Sequence, residues 1–72
     1  MNIDSELYIK RLGLRIKELR MAKGLSQNEL ALRMYMDKPN LRKIEKGKNI
    51  TVNTSLRVCE ALNITMSYLF DF

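Results

Sequence analysis

Histidine is absent from this sequence and cysteine occurs once. Zinc and haem sites draw on clusters of His and Cys, so neither a metal site nor a cofactor is expected. Cys59 has no partner for an intrachain disulfide, and a lone thiol fits a reducing compartment, so the expected localisation is cytoplasmic. Apolar residues never run long enough to span a bilayer. Met1 leads into Asn2, Ile3 and Asp4, without the basic start and apolar core of a secretory signal. Internal repeats, low-complexity tracts, linkers and the alternation of a β-strand are missing too. No nucleophile and base stand paired, and no glycine-rich phosphate loop occurs, so an enzyme is not expected. Nothing points to a small-molecule ligand.

What is present describes a globular chain. At 72 residues, 46% hydrophobic and 29% charged, it is too apolar for disorder and long enough for one domain, 1–72, around one small core. Thirteen Lys and Arg face eight Asp and Glu, a net charge of +5. Such an excess implies an anionic partner but does not choose among nucleic acid, membrane and acidic protein; a basic helix face is often no more than a solvated surface.

Capping residues and apolar periodicity divide the chain into helices. Asp4 or Ser5 caps a first helix with Leu7, Ile9, Leu12, Ile16 and Leu19 at roughly helical spacing, and Gly24 ends it. The first eleven residues are read as its opening turns rather than as an arm. Ser26 and Glu29 form a capping box for a second helix, whose stripe is Leu30, Ala31 and Met34 and which ends near Met34 or Tyr35. Asp37 caps a third with Pro39 in its first turn, where no intrahelical hydrogen bond is lost. Leu41 and Ile44 turn inward, and Gly47 stops it. Thr51 opens a fourth helix, predicted to bury Val52, Leu56, Cys59 and Leu62 and to end at Asn63; Thr65 opens a brief fifth. Met21, Met34, Met36 and Met66 are expected as core filler, and Cys59 as a small buried hydrophobe. The expected fold class is all-α, with five helices.

Charge is not spread evenly over these elements. Lys38, Arg42, Lys43, Lys46 and Lys48 fall on or just after the third helix, with Glu45 the one acid among them. With Leu41 and Ile44 inward, residues 38, 42, 43 and in part 46 must point out. The segment from Ser26 to Gly47 therefore has the layout of two helices and a turn that present a short cationic helix to an anionic partner.

The residues Leu19, Arg20, Gly24-Leu25-Ser26-Gln27, Leu30-Ala31, Leu41, Ile44-Glu45, Gly47, Ala61-Leu62 and Leu69-Phe70 keep a collective spacing. From about Leu12 to Phe70 the chain resembles the phage repressor and Cro type of helix-turn-helix domain, the XRE family, which includes restriction-modification controllers. The resemblance implies a compact, five-helix lambda-repressor-like fold with the motif at 26–47, formed by helices two and three. It also implies that the third helix enters the major groove of double-stranded DNA, which is about 12 Å wide. Base reading is then carried over to Lys38, Pro39, Asn40, Arg42 and Lys43. Phosphate binding falls to Ser26, chiefly a cap, and to Gln27, Lys46, Lys48 and Asn53, and an internal salt bridge to Arg20 and Glu45. Lys and Arg suit the O6 and N7 acceptors of guanine, so a G in each half-site is expected. Two departures stand out. Pro39 replaces a hydrogen-bonding residue, and Tyr35 replaces a turn glycine, where a left-handed conformation costs an aromatic residue roughly 1–2 kcal/mol and an adjusted turn is expected.

One short helix covers few base pairs, so a homodimer on a palindromic operator is expected. Its surface is assigned to the segment 64–72, through Met66, Tyr68, Leu69, Phe70 and Phe72. The function expected is a sequence-specific transcriptional regulator. An antitoxin that binds a toxin and represses its own operon is the alternative; a long toxin-wrapping tail would favour it, and the sequence offers none.

Overall fold

A computed structural model describes residues 4–72. The element order is α1 (Ser5–Ala22), α2 (Gln27–Arg33), α3 (Lys38–Glu45), α4 (Val52–Leu62) and α5 (Met66–Leu69), with no strand among the described residues. The opening turns expected of the first helix are present from Asp4 onward; residues 1–3 lie outside the described part.

Each start is set by a side chain that takes an orphan backbone N–H. Asp4 Oδ1 accepts from Leu7 N at 3.1 Å, Asp37 Oδ1 from Asn40 N at 2.8 Å and Thr51 Oγ1 from Thr54 N at 3.0 Å. Thr65 Oγ1 accepts from Tyr68 N at 3.1 Å. At α2 the box is complete, with Ser26 Oγ accepting from Glu29 N at 3.0 Å and Glu29 Oε1 accepting from Ser26 N at 2.9 Å. The Glu29 carboxyl is held below the usual carboxylate range, by the backbone N–H of Ser26 first and by the Ser26 hydroxyl next.

The core is built from all five helices: Leu12, Ile16 and Leu19 of α1, Leu30 and Ala31 with Met34 at the end of α2, Leu41 and Ile44 of α3, Val58, Cys59 and Leu62 of α4, and Leu69 of α5. Ala31, on α2, is buried in this core. Burial pushes the Cys59 thiol up, and its Sγ lies 3.4 Å from Met66 Sδ, so the group behaves as a packing element.

Four apolar expectations are corrected. Val52 and Leu56 lie exposed, and the buried stripe of α4 is Ser55, Val58, Cys59 and Leu62. A polar residue can sit in that stripe because Ser55 Oγ donates to the carbonyl oxygen of Thr51, the N-cap of the same helix, at 3.1 Å. Leu7 is exposed on the opening turns of α1, and Met21 is exposed near its other end rather than filling the core.

Glycine decides how closely α1 and α3 approach. A Cβ on Gly13, in the middle of α1, would lie 2.7 Å from the carbonyl oxygens of both Ile44 and Glu45. Gly47, at φ +82°, approaches α1 in turn, and a Cβ there would lie 2.7 Å from Lys10 Cα. Backbone therefore rests on backbone, and the C-terminal end of α3 is seated on α1 with no side chain between them.

Candidate nucleic-acid interface

The short helix α3 has two faces of opposite character. Leu41, Ile44 and Glu45 are buried, whereas Lys38, Pro39, Asn40, Arg42, Lys43 and Lys46 are exposed. All of its cationic side chains therefore face solvent. Lys48 and Asn53, in and after the following loop, are exposed as well.

Under this surface lies a buried ionic lock. Arg20 Nε donates to Glu45 Oε2 at 2.6 Å and Arg20 Nη2 to Glu45 Oε1 at 3.2 Å, with the two side chains 9% and 3% exposed. The third Arg20 nitrogen, Nη1, donates to Leu25 O at 2.8 Å. Gln27 Nε2 completes the group by donating to Glu45 Oε1 at 2.9 Å. One carboxylate thus ties α3 to α1, to the start of α2 and, through Arg20, to the loop that joins them. Planar bidentate pairing of this kind fixes orientation as well as distance.

These contacts adjust the expected roles of two residues. Gln27 spends one amide hydrogen on Glu45, which leaves its carbonyl oxygen and second hydrogen free. Ser26 has its oxygen engaged in the capping box. The turn between α2 and α3 is not adjusted around Tyr35: the residue holds φ 55°, the left-handed conformation a glycine would take, with its ring 91% exposed.

The segment expected to pair two copies is partly occupied within its own chain. Leu69 is fully buried in the core and has no surface to offer, which corrects its assignment to a partner interface; Met66 and Phe70 are packed partly against that core. Arg15 of α1 donates through Nη2 to Tyr68 O at 2.7 Å and through Nε to Leu69 O at 3.3 Å, and its guanidinium lies 4.9 Å from the Tyr68 ring centre. Phe72 lies 5.2 Å from the Tyr8 ring and 5.4 Å beneath the Arg11 guanidinium. Tyr68 and Phe72 remain about half and one-third exposed. Arg33 and Arg57 also brace the motif, Arg33 Nη1 donating to Ala61 O at 3.3 Å and Arg57 Nη2 to Met34 O, so that each of α2 and α4 reaches a late carbonyl of the other. Composition alone counted these arginines only as charge.

A family model described as helix-turn-helix matches residues 16–69. The chain belongs to the helix-turn-helix family. It is 38% identical over 61 residues to uncharacterised HTH-type transcriptional regulators of Rickettsia conorii and Rickettsia prowazekii. Those matches cover 83% of this chain and 49% and 47% of the relatives, so the chain spans about half their length. Among solved structures, the restriction-modification controller protein C.AhdI from Aeromonas hydrophila is similar at a TM-score of 0.86 and 34% identity, covering 93% of this chain and 99% of that one. The all-helical arrangement expected from the sequence is thus the fold of this helix-turn-helix domain, and α2, the turn and α3 lie inside the matched residues.

Proposed function

We propose that this helix-turn-helix domain binds double-stranded DNA sequence-specifically and regulates transcription. The observation that carries the reading is the division of α3 into a buried face of Leu41, Ile44 and Glu45 and an outward face bearing Lys38, Arg42, Lys43 and Lys46. A cationic helix locked from beneath is a preorganised object that fits one major groove. The names of the relatives, HTH-type transcriptional regulators and a restriction-modification controller, support the same reading.

In this reading Lys38, Pro39, Asn40, Arg42 and Lys43 face base edges, with Arg42 or Lys43 on guanine O6 and N7 and Pro39 offering an apolar edge to a thymine methyl. Lys46, Lys48, Asn53 and the free polar atoms of Gln27 and Ser26 hold phosphates, which position the domain without reading sequence. Residues 1–72 act as one domain in the cytoplasm, with no catalytic step. A homodimer supplies the second half-site. Tyr68 and Phe72, still exposed on the folded-back C-terminal segment, are the contacts assigned to the partner copy, flanked by the partly packed Met66 and Phe70.

Selection of bound duplexes from a random pool tests this directly. A palindromic consensus with G in each half-site is the expected outcome, and enrichment of no sequence would overturn specific recognition.

A further inference from the structure

Lys10, Leu14 and Lys17 recur at i, i+4 and i+7 and so share one face of α1. That face lines a cleft of about 350 Å³ together with Gln27 and with Arg42, Glu45 and Lys46 of α3. The backbone contacts at Gly13 and Gly47 hold the two helices side by side and so form the cleft. Its single carboxylate is already satisfied, since Glu45 is bound by Arg20 and Gln27. Lys10, Lys17, Arg42 and Lys46 are all exposed, and none forms an ion pair among the described residues.

Four like charges around one cleft make its potential positive and favour an anion there. Leu14, 55% exposed, adds an apolar patch among the ammonium groups. Cations around an apolar patch complement a sugar-phosphate strand, with phosphates against the Lys10, Lys17 and Lys46 ammonium groups and deoxyribose against Leu14. The position agrees with that occupant. A helix with its side chains is about 10–12 Å across and fills the groove, so the flank of α3 that carries Arg42 and Lys46 faces one of the two strands bounding it.

We propose that the Lys10–Leu14–Lys17 face of α1 is a second phosphate-binding rail, on which the DNA strand flanking the groove is held between α1 and α3. The footprint thereby extends beyond the two motif helices. This rests on the DNA-binding reading above.

The test compares wild type with the double variant Lys10→Gln/Lys17→Gln, which keeps polar side chains at two exposed positions. Both are titrated at several salt concentrations against the selected duplex and a duplex of scrambled sequence, after matching circular dichroism melts confirm the fold. Each phosphate neutralised contributes about 0.9 to the slope of log affinity on log salt, so the variant is expected to lose close to two units on both duplexes. Between 50 and 200 mM salt, wild-type affinity then falls about tenfold more than the variant's. The ratio between the duplexes stays constant. A variant slope equal to wild type overturns the rail and leaves the DNA-binding reading intact. Failure of wild type to bind any duplex overturns both.

Discussion

Arg20 and Glu45 meet as a buried bidentate pair, 2.6 Å from Nε to Oε2 and 3.2 Å from Nη2 to Oε1, while Arg20 Nη1 donates to Leu25 O and Gln27 Nε2 donates to the same Oε1. Removing one member strands the other charge in the interior, which typically costs ~3–5 kcal/mol. Glu45→Met and Arg20→Met are each expected to lower the stability measured by urea unfolding by that much. The double variant Arg20→Met/Glu45→Met should lose less than the sum, because no unpaired charge remains. A double-mutant cycle on urea midpoints checks this; strict additivity would mean that the pair is not coupled.

Tyr35 holds φ 55° with its ring in solvent, so its left-handed backbone is not repaid by packing of the ring. Tyr35→Gly removes a penalty of roughly 1–2 kcal/mol and returns part of it through the greater freedom of glycine in the unfolded chain, about 0.4–1 kcal/mol. The net expectation is a stabilisation of about 0.5–1 kcal/mol. Thermal melts of the two proteins measure it, and a lower melting temperature for the glycine variant would count against it.

Gly13 is a different case, since the space a Cβ would need is filled by backbone. Alanine favours a helix over glycine by about 1 kcal/mol, but at this position the new carbon would sit 2.7 Å from two carbonyl oxygens of α3. Overpacking against atoms that cannot rotate away costs ~1–3 kcal/mol and displaces the end of α3. Gly13→Ala is therefore expected to destabilise despite its propensity. It should also weaken duplex binding more than Lys48→Ala does, because the whole reading helix shifts. Denaturation and duplex titration of the same sample check both parts.

Helix starts were legible in the sequence because each depends on one residue within four positions: Asp4, Ser26, Asp37, Thr51 and Thr65 are all observed caps. The Arg20–Glu45 pair was legible only through the resemblance, since nothing local links positions so far apart. On α4, Ser55 hid the buried stripe by satisfying its own hydroxyl on the N-cap carbonyl, and Val52 and Leu56 filled the apparent gap. The role of Gly13 was not legible, because a glycine in mid-helix reads as a weakness until the partner backbone is in place. Leu69 was misassigned for a related reason. Its apolar character is the same whether it faces a second copy or its own core.

Glu29 carries a pH dependence through the α2 capping box. Its carboxyl is held below the ordinary value of 4.5 by the Ser26 backbone N–H first and the Ser26 hydroxyl next. A depressed carboxylate stabilises the fold above its unfolded value, and that contribution is lost as pH falls through the folded one. Wild type should therefore lose melting temperature below about pH 4.5 more steeply than Glu29→Gln. Parallel melting curves from pH 6 to pH 3 would remove the box from the acid response.

Arg42 and Lys43 against Lys48 separate reading from holding. The first two stand on the exposed face of α3 and the third in the loop beyond Gly47. Arg42→Ala or Lys43→Ala is expected to relax base preference at one position by ~1–3 kcal/mol, as loss of a bidentate guanine contact does. Lys48→Ala should weaken every duplex alike and reduce the salt slope by about one unit. Titration of the three variants against the selected duplex and its single-base variants distinguishes the two modes. Uniform loss from all three would make α3 a nonspecific cationic surface, because a helix that discriminates bases must lose discrimination at the position where its contact is removed.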